Sequence, residues 1–529
     1  MNLRQRAPGF TRRGAVIGLS VLAAGALGAC GGAGPPPDDA ARLVPSSALV
    51  YVHLSTDSTR DTVQRASALL GRFGGYPALR DSVLSRLSAA GGPVDLNHDV
   101  KPWLGHEAAL ALLNSTGPTA GSLVLVEVSD RQRAQAFLSR SSSPLPPSVP
   151  YAGVGVQRYG RVSVAFIGHF LAVGQDATLR QAIDLASGRG GSLAADPTYR
   201  RATVGRPSSR VADVYVTAAG VRRLLMPQGG LLGAAGSLLD QPALQATELA
   251  LSPGADRALV AVHNTLSPRL QAALPAPFAP FTPTLDREVP SNALAYLGVS
   301  GLDRAFGRLL GAVRASGGGL VTLLARVRAA LSAPSSIQTS RDLASLLSSE
   351  VGIWIAPHGL SPALALIART PDEARTRVDL ASLQAPLAKA FAPPRSGPGQ
   401  APTFGQRRVA GIDVFSLRLS AAAELDYAVF AGRLVIATSP DVIDSVVHRS
   451  TSLAANPTYR AVIGDHPRRV SSLVFLDFSQ LLALAEQTGL SSSPTYARIR
   501  DDLARIKAVG ESSTGGQGQT NAELTLSIP

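Results

Sequence analysis

The chain has 529 residues, enough for two or more domains with sizeable cores, and it carries a formal net charge of +13 at pH 7. Its Lys and Arg residues form no run that interleaves with aromatic residues, so the composition argues against nucleic acid as a partner. Cys30 is the single cysteine, which excludes an intrachain disulfide and leaves the core to stabilise the fold unaided.

Residues 1–29 have the pattern of a lipoprotein signal peptide. Four arginines within the first 13 residues make a basic start, and the uncharged run Gly14–Ala29 is too short for a comfortable membrane span. The run ends in LGAC at 27–30, which resembles a bacterial lipobox, where a peptidase cuts before the cysteine and the thiol carries a diacylglycerol. Cys30 is therefore the predicted lipid attachment site and membrane anchor. The alternative is an unmodified cysteine behind an ordinary signal peptide.

Two export routes fit this signal. The sequence TRRG at 11–14 resembles the start of a twin-arginine signal, although Ala15 stands where that signal usually has phenylalanine, and the general secretory route is the alternative. Both routes predict a protein exported and anchored to the outer face of the cytoplasmic membrane. In a host with two membranes, a periplasmic or outer-membrane lipoprotein is expected instead. A flexible tether over 30–42, with three prolines at 35–37, would join the anchor to the fold.

Six segments of the chain recur in the same order, about 240 to 265 residues apart. The closest match is SLAADPTYR at 192–200 with SLAANPTYR at 452–460, in which eight of nine residues agree. This spacing predicts a tandem duplication of one domain and argues against a short-period solenoid. The other pairs are 44–52 with 289–297, 123–130 with 363–372, 152–156 with 410–414, 168–173 with 432–437, and 210–216 with 469–475.

The duplication predicts a first repeat over 43–266, a proline-rich linker over 267–287 and a second repeat over 288–529. The linker contains Phe278 and Phe281, so we expect it to dock on a domain. Each repeat is predicted to form an α+β domain, with an antiparallel or mixed β-sheet packed with helices, because groups of strands alternate with amphipathic helices. In the first repeat the expected helices are 63–70, 79–87, 131–138 and 178–186. The expected strands are 108–113, 123–128, three between 154 and 173, 211–216 and a hairpin over 248–264, with loops at 141–150 and, in the second repeat, 392–406.

The nine-residue phrase is interpreted as a helix start. Asp196 precedes a proline in the first copy and Asn456 does so in the second. Both residue types are good N-caps, and proline suits the first helical position because it has no N–H to leave unpaired. A catalytic carboxylate would lose its proton chemistry in an Asp-to-Asn exchange, whereas a cap would not. Tyr199 and Tyr459 follow, placed to pack against a sheet.

Other candidates for chemistry are also better explained by structure. Asp130 and Asp372 follow strands and precede helices, which favours helix caps over general bases. His98, Asp99, His106 and Glu107 form the densest His/carboxylate group, but their spacing matches no zinc or iron pattern, so they are interpreted as solvated loop residues around Trp103. Because no nucleotide-binding, hydrolase or metalloprotease motif is present, we expect a non-enzyme with no catalytic, cofactor-binding or metal-binding residues.

Three of these landmarks together resemble a known family. They are PxxAxxYV at 45–52, KPWLGHEA at 101–108 and the phrase SLAxxPxYR, and they resemble bacterial exported proteins grouped as domain of unknown function 3352, in two tandem copies over most of 43–528. One departure is that the second repeat reads EVGIW at 350–354, with its tryptophan after the glycine. The resemblance implies an exported, often anchored protein and supplies no activity, substrate or catalytic residue.

Two function classes remain. The first is a non-enzymatic binding or scaffold protein of the cell envelope, with an envelope protein or polymer as its partner. The second is a carrier of an apolar ligand such as a lipid, which the apolar, glycine-spaced stretch GGLLGAAGSLL at 229–239 would suit if it were exposed. The alternative for this stretch is an ordinary buried helix or loop.

Overall fold

The computed structural model describes residues 34–78, 95–113, 121–140, 146–160, 162–225, 241–273, 278–302, 345–359, 361–391, 403–420, 423–449 and 451–529. These residues form two compact units. The first unit contains the described residues up to Gly220 together with Glu248–Ala255, and the second contains Val221–Thr247 and Asp256–Pro529. Both combine helices with antiparallel sheet, which confirms the predicted α+β class.

The first unit is built on an antiparallel sheet with the strand order β4-β5-β6-β7-β3-β2-β1-β8. Successive residues of these strands alternate between buried and partly exposed positions, so one face of the sheet supports the core. The strands are β1 (Ala48–Ser55), β2 (Leu104–Leu113), β3 (Ser122–Val128), β4 (Ser148–Tyr151), β5 (Val154–Tyr159), β6 (Val162–Ile167), β7 (Phe170–Gly174), β8 (Ala212–Thr217) and β9 (Leu244–Pro253), of which the first four residues belong to the second unit.

The second unit has the strand order β14-β15-β16-β17-β13-β12-β11-β18-β19-β20-β10, again antiparallel throughout. The first eight strands of this order, from β14 to β18, match the eight strands of the first unit one by one. In both units, four strands that are consecutive in the chain are followed by three in reverse chain order and then by one later strand. Its strands are β10 (Arg257–Leu266), β11 (Ala295–Ser300), β12 (Glu350–Ala356), β13 (Ala363–Arg369), β14 (Thr403–Val409), β15 (Ile412–Ser420), β16 (Ala423–Phe430), β17 (Arg433–Ala437), β18 (Ser472–Leu476), β19 (Ala508–Gly516) and β20 (Gln519–Ser527).

Helices cover the sheets where the sequence predicts amphipathic segments. In the first unit, Trp103, Val126 and Phe137 share one core cluster, and in the second unit Tyr296, Trp354 and Phe475 share another. The helices are α1 (Asp61–Leu70), α2 (Arg131–Arg140), α3 (Asp176–Ala186), α4 (Pro197–Ala202), α5 (Ala218–Gly220), α6 (Pro268–Ala273), α7 (Glu373–Phe391), α8 (Pro440–Val447), α9 (Pro457–Ile463), α10 (Phe478–Gln487) and α11 (Pro494–Leu503). No helix of the described residues is long and apolar enough to cross a membrane.

Two strands lie where loops are predicted. β4 overlaps the predicted loop at 141–150, and β14 overlaps the one at 392–406. The prediction failed because both strands are largely exposed and therefore lack the alternation of apolar and polar residues that marks a half-buried strand.

The repeated phrase forms the same capped helix in each unit. The Asp196 carboxylate accepts the backbone N–H groups of Thr198 and Tyr199, and the Asn456 side chain accepts those of Thr458 and Tyr459. In each helix the proline occupies the first turn and the tyrosine is buried. The interpretation of the phrase as a helix start is confirmed.

Replacing Asp196 with alanine is expected to lower the free energy of unfolding by about 1 kcal/mol, because two backbone N–H groups lose their acceptor. Asp196→Asn copies the residue of the second unit and is expected to stay within about 0.5 kcal/mol of the wild type. Urea unfolding followed by circular dichroism measures both variants. A loss for asparagine as large as that for alanine would show that the charge, and not the cap, matters.

The end of the predicted tether is folded. Pro36 is buried and its carbonyl accepts a hydrogen bond from Arg210 at 3.3 Å, while Ala40 and Ala41 are 0% and 1% exposed. Ala40–Arg42 forms a turn of 3₁₀-helix. The apolar side chains of this segment explain the difference, since their burial favours packing over a free chain.

Within the described residues, Phe278 and Phe281 of the predicted linker are docked, as expected. Phe281 is 8% exposed, and its backbone N–H and C=O pair with Val470 at 2.8 and 2.9 Å. Phe278 packs against a buried cluster around Val299. Cys30, the signal peptide, the helix predicted at 79–87 and the stretch 229–239 lie outside the described residues, and their predictions stay open.

Candidate functional site

The first unit contains a buried group of charged side chains, centred on His53. His53 lies on β1 directly opposite Asp213 on the neighbouring strand β8. Its Nδ1 is 3.0 Å from Asp213 Oδ2, and both side chains are fully buried. A charged pair this deep in a core must be compensated locally, because burial removes its hydration.

The other ring nitrogen of His53 faces Glu107, on the strand β2 at the opposite side of β1. Nε2 lies 3.2 Å from Glu107 Oε2, which is within ion-pair distance, but the two atoms are out of line for a hydrogen bond. Oε1 of the same carboxylate accepts the backbone N–H groups of Asp39 and Ala40 at 3.0 and 3.2 Å. Glu107 therefore joins the imidazole to the 3₁₀ turn at the N-terminal end of the unit.

Two arginines complete the charge compensation. Arg206, 7% exposed, places Nη1 2.8 Å from Asp38 Oδ2 and 3.1 Å from Asp213 Oδ1, and its Nε lies 2.7 Å from Glu248 Oε1. Arg210 places Nε 2.9 Å from Asp213 Oδ2. Asp213 is thus in contact with three cationic side chains at once.

Asp38 closes the cluster from the N-terminal segment. Its Oδ1 accepts the Tyr51 hydroxyl and its Oδ2 accepts the Tyr199 hydroxyl, each at 2.6 Å. The guanidinium of Arg206 lies over the ring of Tyr199, 5.2 Å from the centroid. The helix that the repeated phrase opens therefore helps to position the cluster, through Tyr199.

Burial and charge shift the pKa values of several members. Burial alone would lower the pKa of His53, but its contacts with Asp213 and Glu107 outweigh burial and raise that pKa to about 10. Burial also opposes the ionisation of Asp213, yet His53 and Arg206 hold the pKa of Asp213 below its ordinary value. Burial raises the pKa of Glu248 to about 8, although Arg206 opposes the rise.

These shifts give a neutral cluster near pH 7. A Glu248 with a pKa of about 8 is mostly protonated there. The remaining members are three cations and three carboxylates, namely His53, Arg206 and Arg210 with Asp38, Glu107 and Asp213. Because the imidazole has no exposed surface and both of its nitrogens face carboxylates, the arrangement is suited to compensating charge in the core and not to proton transfer with a bound substrate.

A metal ion fits this cluster poorly. Ligand atoms of Asp38, His53 and Glu107 lie within 4.8 Å of one another, which would allow a cation to reach all three. However, both oxygens of Asp38 already accept tyrosine hydroxyls, and the guanidinium of Arg206 lies 2.8 Å from one of them. A metal ion here would face that guanidinium at close range, which costs free energy in a medium of low polarity.

The second unit keeps one part of this arrangement. Glu350 accepts the backbone N–H groups of Thr284 and Leu285 at 2.7 and 2.9 Å, as Glu107 accepts those of the 3₁₀ turn in the first unit. Where the first unit pairs His53 with Asp213 across its strands, the second unit pairs Gly298 with Leu473. The ionic pair is thus particular to the first unit, and an apolar pair occupies the matching place in the second.

Of the candidates chosen from the sequence, the two helix caps are confirmed. Asp130 accepts the N–H of Arg133 at 3.0 Å, and Asp372 accepts that of Arg375 at 2.9 Å. His98 is exposed, and its Nδ1 lies 3.1 Å from Asp95 Oδ2. It is not a member of the buried cluster. Its neighbour Asp99 accepts the indole N–H of Trp103 through its backbone carbonyl at 2.6 Å.

Glu107 corrects the interpretation of the group as solvated loop residues. His106 is exposed, but Glu107 is 1% exposed and lies in strand β2. The misreading arose because local sequence placed Glu107 with its neighbours along the chain, whereas the strand pairing places it with His53.

Comparison with known proteins shows which family the chain matches. The family described as "Protein of unknown function (DUF3352)" matches residues 13–527, which is nearly the whole chain. The chain belongs to the DUF3352 family. Among curated proteins, none matches it.

Solved structures are similar to this DUF3352 protein only distantly. Crystal form I of TP0453 is 14% identical, with 44% of this chain and 79% of that chain covered and a TM-score of 0.27. Crystal form III of TP0453 is 13% identical, with 46% and 88% covered and the same TM-score. A similarity of this size transfers neither a fold nor a function.

Sequence analysis of this DUF3352 protein missed the three central members of the cluster. His53 interrupts the apolar run ALVYVHL of β1, and Asp213 interrupts VADVYV of β8. An ionisable residue within a buried strand is a usable signal, because such a residue is almost never buried without a partner. Arg206 gives no comparable signal, since it lies in a polar loop after α4.

Proposed function

We propose that the chain is an exported lipoprotein, anchored to the membrane through Cys30, that acts without catalysis as a binding or scaffold protein of the cell envelope. The packing of its N-terminal segment supports this proposal. Asp38 contacts Tyr51, Tyr199 and Arg206. A pull on the N-terminal segment would therefore have to break buried ionic and hydrogen-bond contacts before the segment could detach from the fold.

The short chain between the anchor and the fold also supports a scaffold function. Pro36 follows Cys30 by six residues, which span at most about 20 Å when fully extended. A lipid on Cys30 would therefore keep the first unit close to the bilayer surface. Such a short connection suits a stationary scaffold better than a carrier that must travel between membranes.

An envelope protein or an anionic envelope polymer is the proposed partner. Without the four arginines of the signal peptide the chain keeps a net charge of about +9, which attracts anionic surfaces over the range of the Debye length. A pocket in the second unit of about 100 Å³, lined by Arg257, His466 and Glu523 among others, is smaller and more polar than an acyl chain requires. This pocket therefore does not favour the carrier alternative.

We also infer that the chain arose by tandem duplication of one α+β domain. Eight strands of each unit follow the same order, and the repeated phrase caps a helix in each. Glu107 and Glu350 accept equivalent backbone donors, which adds a pair that sequence comparison does not align. The inferred copies are the predicted repeats 43–266 and 288–529, joined by 267–287.

Cys30→Ala is expected to move the protein from the membrane fraction to the soluble exported fraction, because the acyl chains that bind the bilayer are lost. Cell fractionation of wild type and variant, with mass spectrometry of the mature N-terminus, measures this. An unmodified Cys30 at the mature N-terminus of the wild type, with an equal share of both proteins in the membrane fraction, would contradict anchoring through Cys30.

The released Cys30→Ala protein also separates the two function classes. Native mass spectrometry with solvent extraction is expected to give a clean protein mass, and cross-linking of the wild type in intact cells is expected to give a protein or polymer adduct. A copurifying lipid at one or two molecules per chain would instead identify a carrier.

A further inference from the structure

The pocket of about 100 Å³ in the second unit lies between three strands of the sheet and the end of α9. Strand register places its strand residues on one face of the sheet. Ser512 on β19 lies opposite Glu523 on β20, and Leu259 on β10 lies opposite Thr525. Because side chains two residues apart along a strand share a face, Arg257 joins this group. The strands therefore supply one wall of the pocket.

The other wall is the C-terminal end of α9 with the residues that follow it, up to His466. The helix lies directly on β19, since a Cβ atom at Gly510 would clash with the carbonyl oxygen of Val462. Such a close approach of two backbones requires glycine at this position and fixes the helix against the strand. The pocket is thus formed by packed secondary structure on both sides.

The corresponding loop of the first unit is closed by an ion pair. Ten residues after the N-cap of α4, the first unit has Arg206, whose Nε lies 2.7 Å from Glu248 Oε1. Ten residues after the N-cap of α9, the second unit has His466, whose Nδ1 donates to the carbonyl oxygen of Pro467 at 2.7 Å. The loop therefore compensates buried charge in the first unit, whereas in the second it borders open space.

Two hydroxyls on the strand side of the pocket have no partner in the part of the chain that the structure describes. Ser512 and Thr525 are 9% and 6% exposed, and neither hydroxyl makes a hydrogen bond with a described residue. Both residues line the pocket, so their hydroxyls are available to a bound molecule. A polar group held in a core position without a partner costs free energy, which a ligand in the pocket would recover.

Charged side chains of both signs border the same pocket. Arg257 supplies a cation, and Asp465 and Glu523 supply carboxylates. None of the three forms an ion pair or a side-chain hydrogen bond with another described residue. A simple cation in the pocket would face the guanidinium, and a simple anion would face two carboxylates. A ligand that carries both charges can satisfy all three groups at once.

We propose that this pocket binds a small zwitterion with one ammonium and one carboxylate group, such as glycine or alanine. Arg257 binds the carboxylate, with which a guanidinium forms paired, charge-assisted hydrogen bonds. Asp465 and Glu523 bind the ammonium group, and the hydroxyls of Ser512 and Thr525 complete the hydrogen bonding. The volume restricts the ligand to the smallest amino acids, because pockets that enclose drug-sized molecules measure about 300–1,000 Å³. The inference goes beyond the proposed anchor and partner, since it rests on the second unit alone.

Calorimetric titration of the full-length chain, purified in detergent, tests the site with glycine and alanine. The wild type is expected to bind one molecule of either amino acid per chain. Acetate carries only the carboxylate and methylamine only the ammonium group, so each is expected to bind at least about tenfold more weakly than glycine. Arg257→Gln and Glu523→Gln each remove one charge and are expected to weaken the binding of glycine by a similar factor.

Thr525→Val keeps the shape of the side chain without its hydroxyl and is expected to weaken the binding of glycine about twofold to tenfold. Arg408→Gln is the matched control, because Arg408 is an arginine of the same unit that is 75% exposed and does not line the pocket. It is expected to bind glycine as the wild type does. Circular dichroism of each variant establishes that the fold is intact.

Three results would each overturn the inference. The first is that the wild type binds neither glycine nor alanine. The second is that acetate or methylamine binds as tightly as glycine, which would identify a site for a simple ion. The third is that Arg257→Gln and Glu523→Gln bind glycine as tightly as the wild type. Both residues are exposed, so these two changes are expected to leave the fold intact.

Discussion

Asp213→Ala is expected to lower the free energy of unfolding by about 3–5 kcal/mol, one of the two largest effects that the structure predicts. Asp213 contacts His53, Arg206 and Arg210, and all three lie within the core. Removing the carboxylate leaves three buried cations with less compensation, and charges in that position cannot be hydrated without opening the fold. Urea unfolding at pH 7, followed by circular dichroism, measures the loss.

Asp61→Ala is the control for the loss of an aspartate at the surface of the same unit. Asp61 is 60% exposed and pairs with Arg65 one helical turn away, so its removal is expected to cost about 0.5 kcal/mol or less. If Asp213→Ala lowered the free energy of unfolding no more than this control does, the cluster would not be a compensated buried network.

A double variant tests whether the pair acts as one unit. His53→Gly with Asp213→Leu copies the residues that the second unit places at the matching strand positions. Its loss of stability is expected to be smaller than the sum of the two single losses by about 1–3 kcal/mol, because neither charge is left without its partner. Additive losses would contradict a direct coupling between His53 and Asp213.

The second large effect is a loss of stability at alkaline pH. The pKa of His53 is raised from about 6.5 to about 10, so the folded state keeps a proton that the unfolded state releases between these values. The stabilisation is complete below about pH 6.5 and disappears as pH rises through 10. Glu248, whose pKa is raised from 4.5 to about 8, resists ionisation when folded and lowers stability progressively between those values.

The free energy of unfolding is therefore expected to fall by a few kcal/mol between about pH 6 and pH 10. Urea midpoints measured across this range give the profile. Glu248→Gln keeps the shape of the side chain without its titration and is expected to flatten the profile below about pH 8, leaving the His53 component above it. A profile that does not change in Glu248→Gln would show that Glu248 ionises normally within the fold.

Local sequence was sufficient to predict most elements of secondary structure in the first repeat. The repeated phrase carries its own N-cap and proline, and helices such as α1 and α3 bury apolar residues at helical spacing. These signals act over one or two turns, so no long-range information is needed to interpret them. The exposed strands β4 and β14 have no such signal, because neither buries a regular face.

The buried cluster depends on information that local sequence does not contain. His53 and Asp213 are 160 residues apart, and only the pairing of β1 with β8 places them opposite each other. Asp38 joins them because a segment expected to be a tether packs on the unit instead. A shift of one residue in strand register would turn His53 to the other face of the sheet, so the site is defined by register as much as by composition.

The position of β20 has a consequence for how the protein is made. This strand comprises nearly the last residues of the chain, yet it lies between β19 and β10 in the second unit and pairs with β10 along nine residues. During vectorial synthesis, β10 emerges some 260 residues before the strand that covers this edge. A chain that is cut short by a premature stop or a protease would therefore display an uncovered, mostly apolar strand edge, which is a site where newly made molecules can aggregate or be recognised by quality-control proteases.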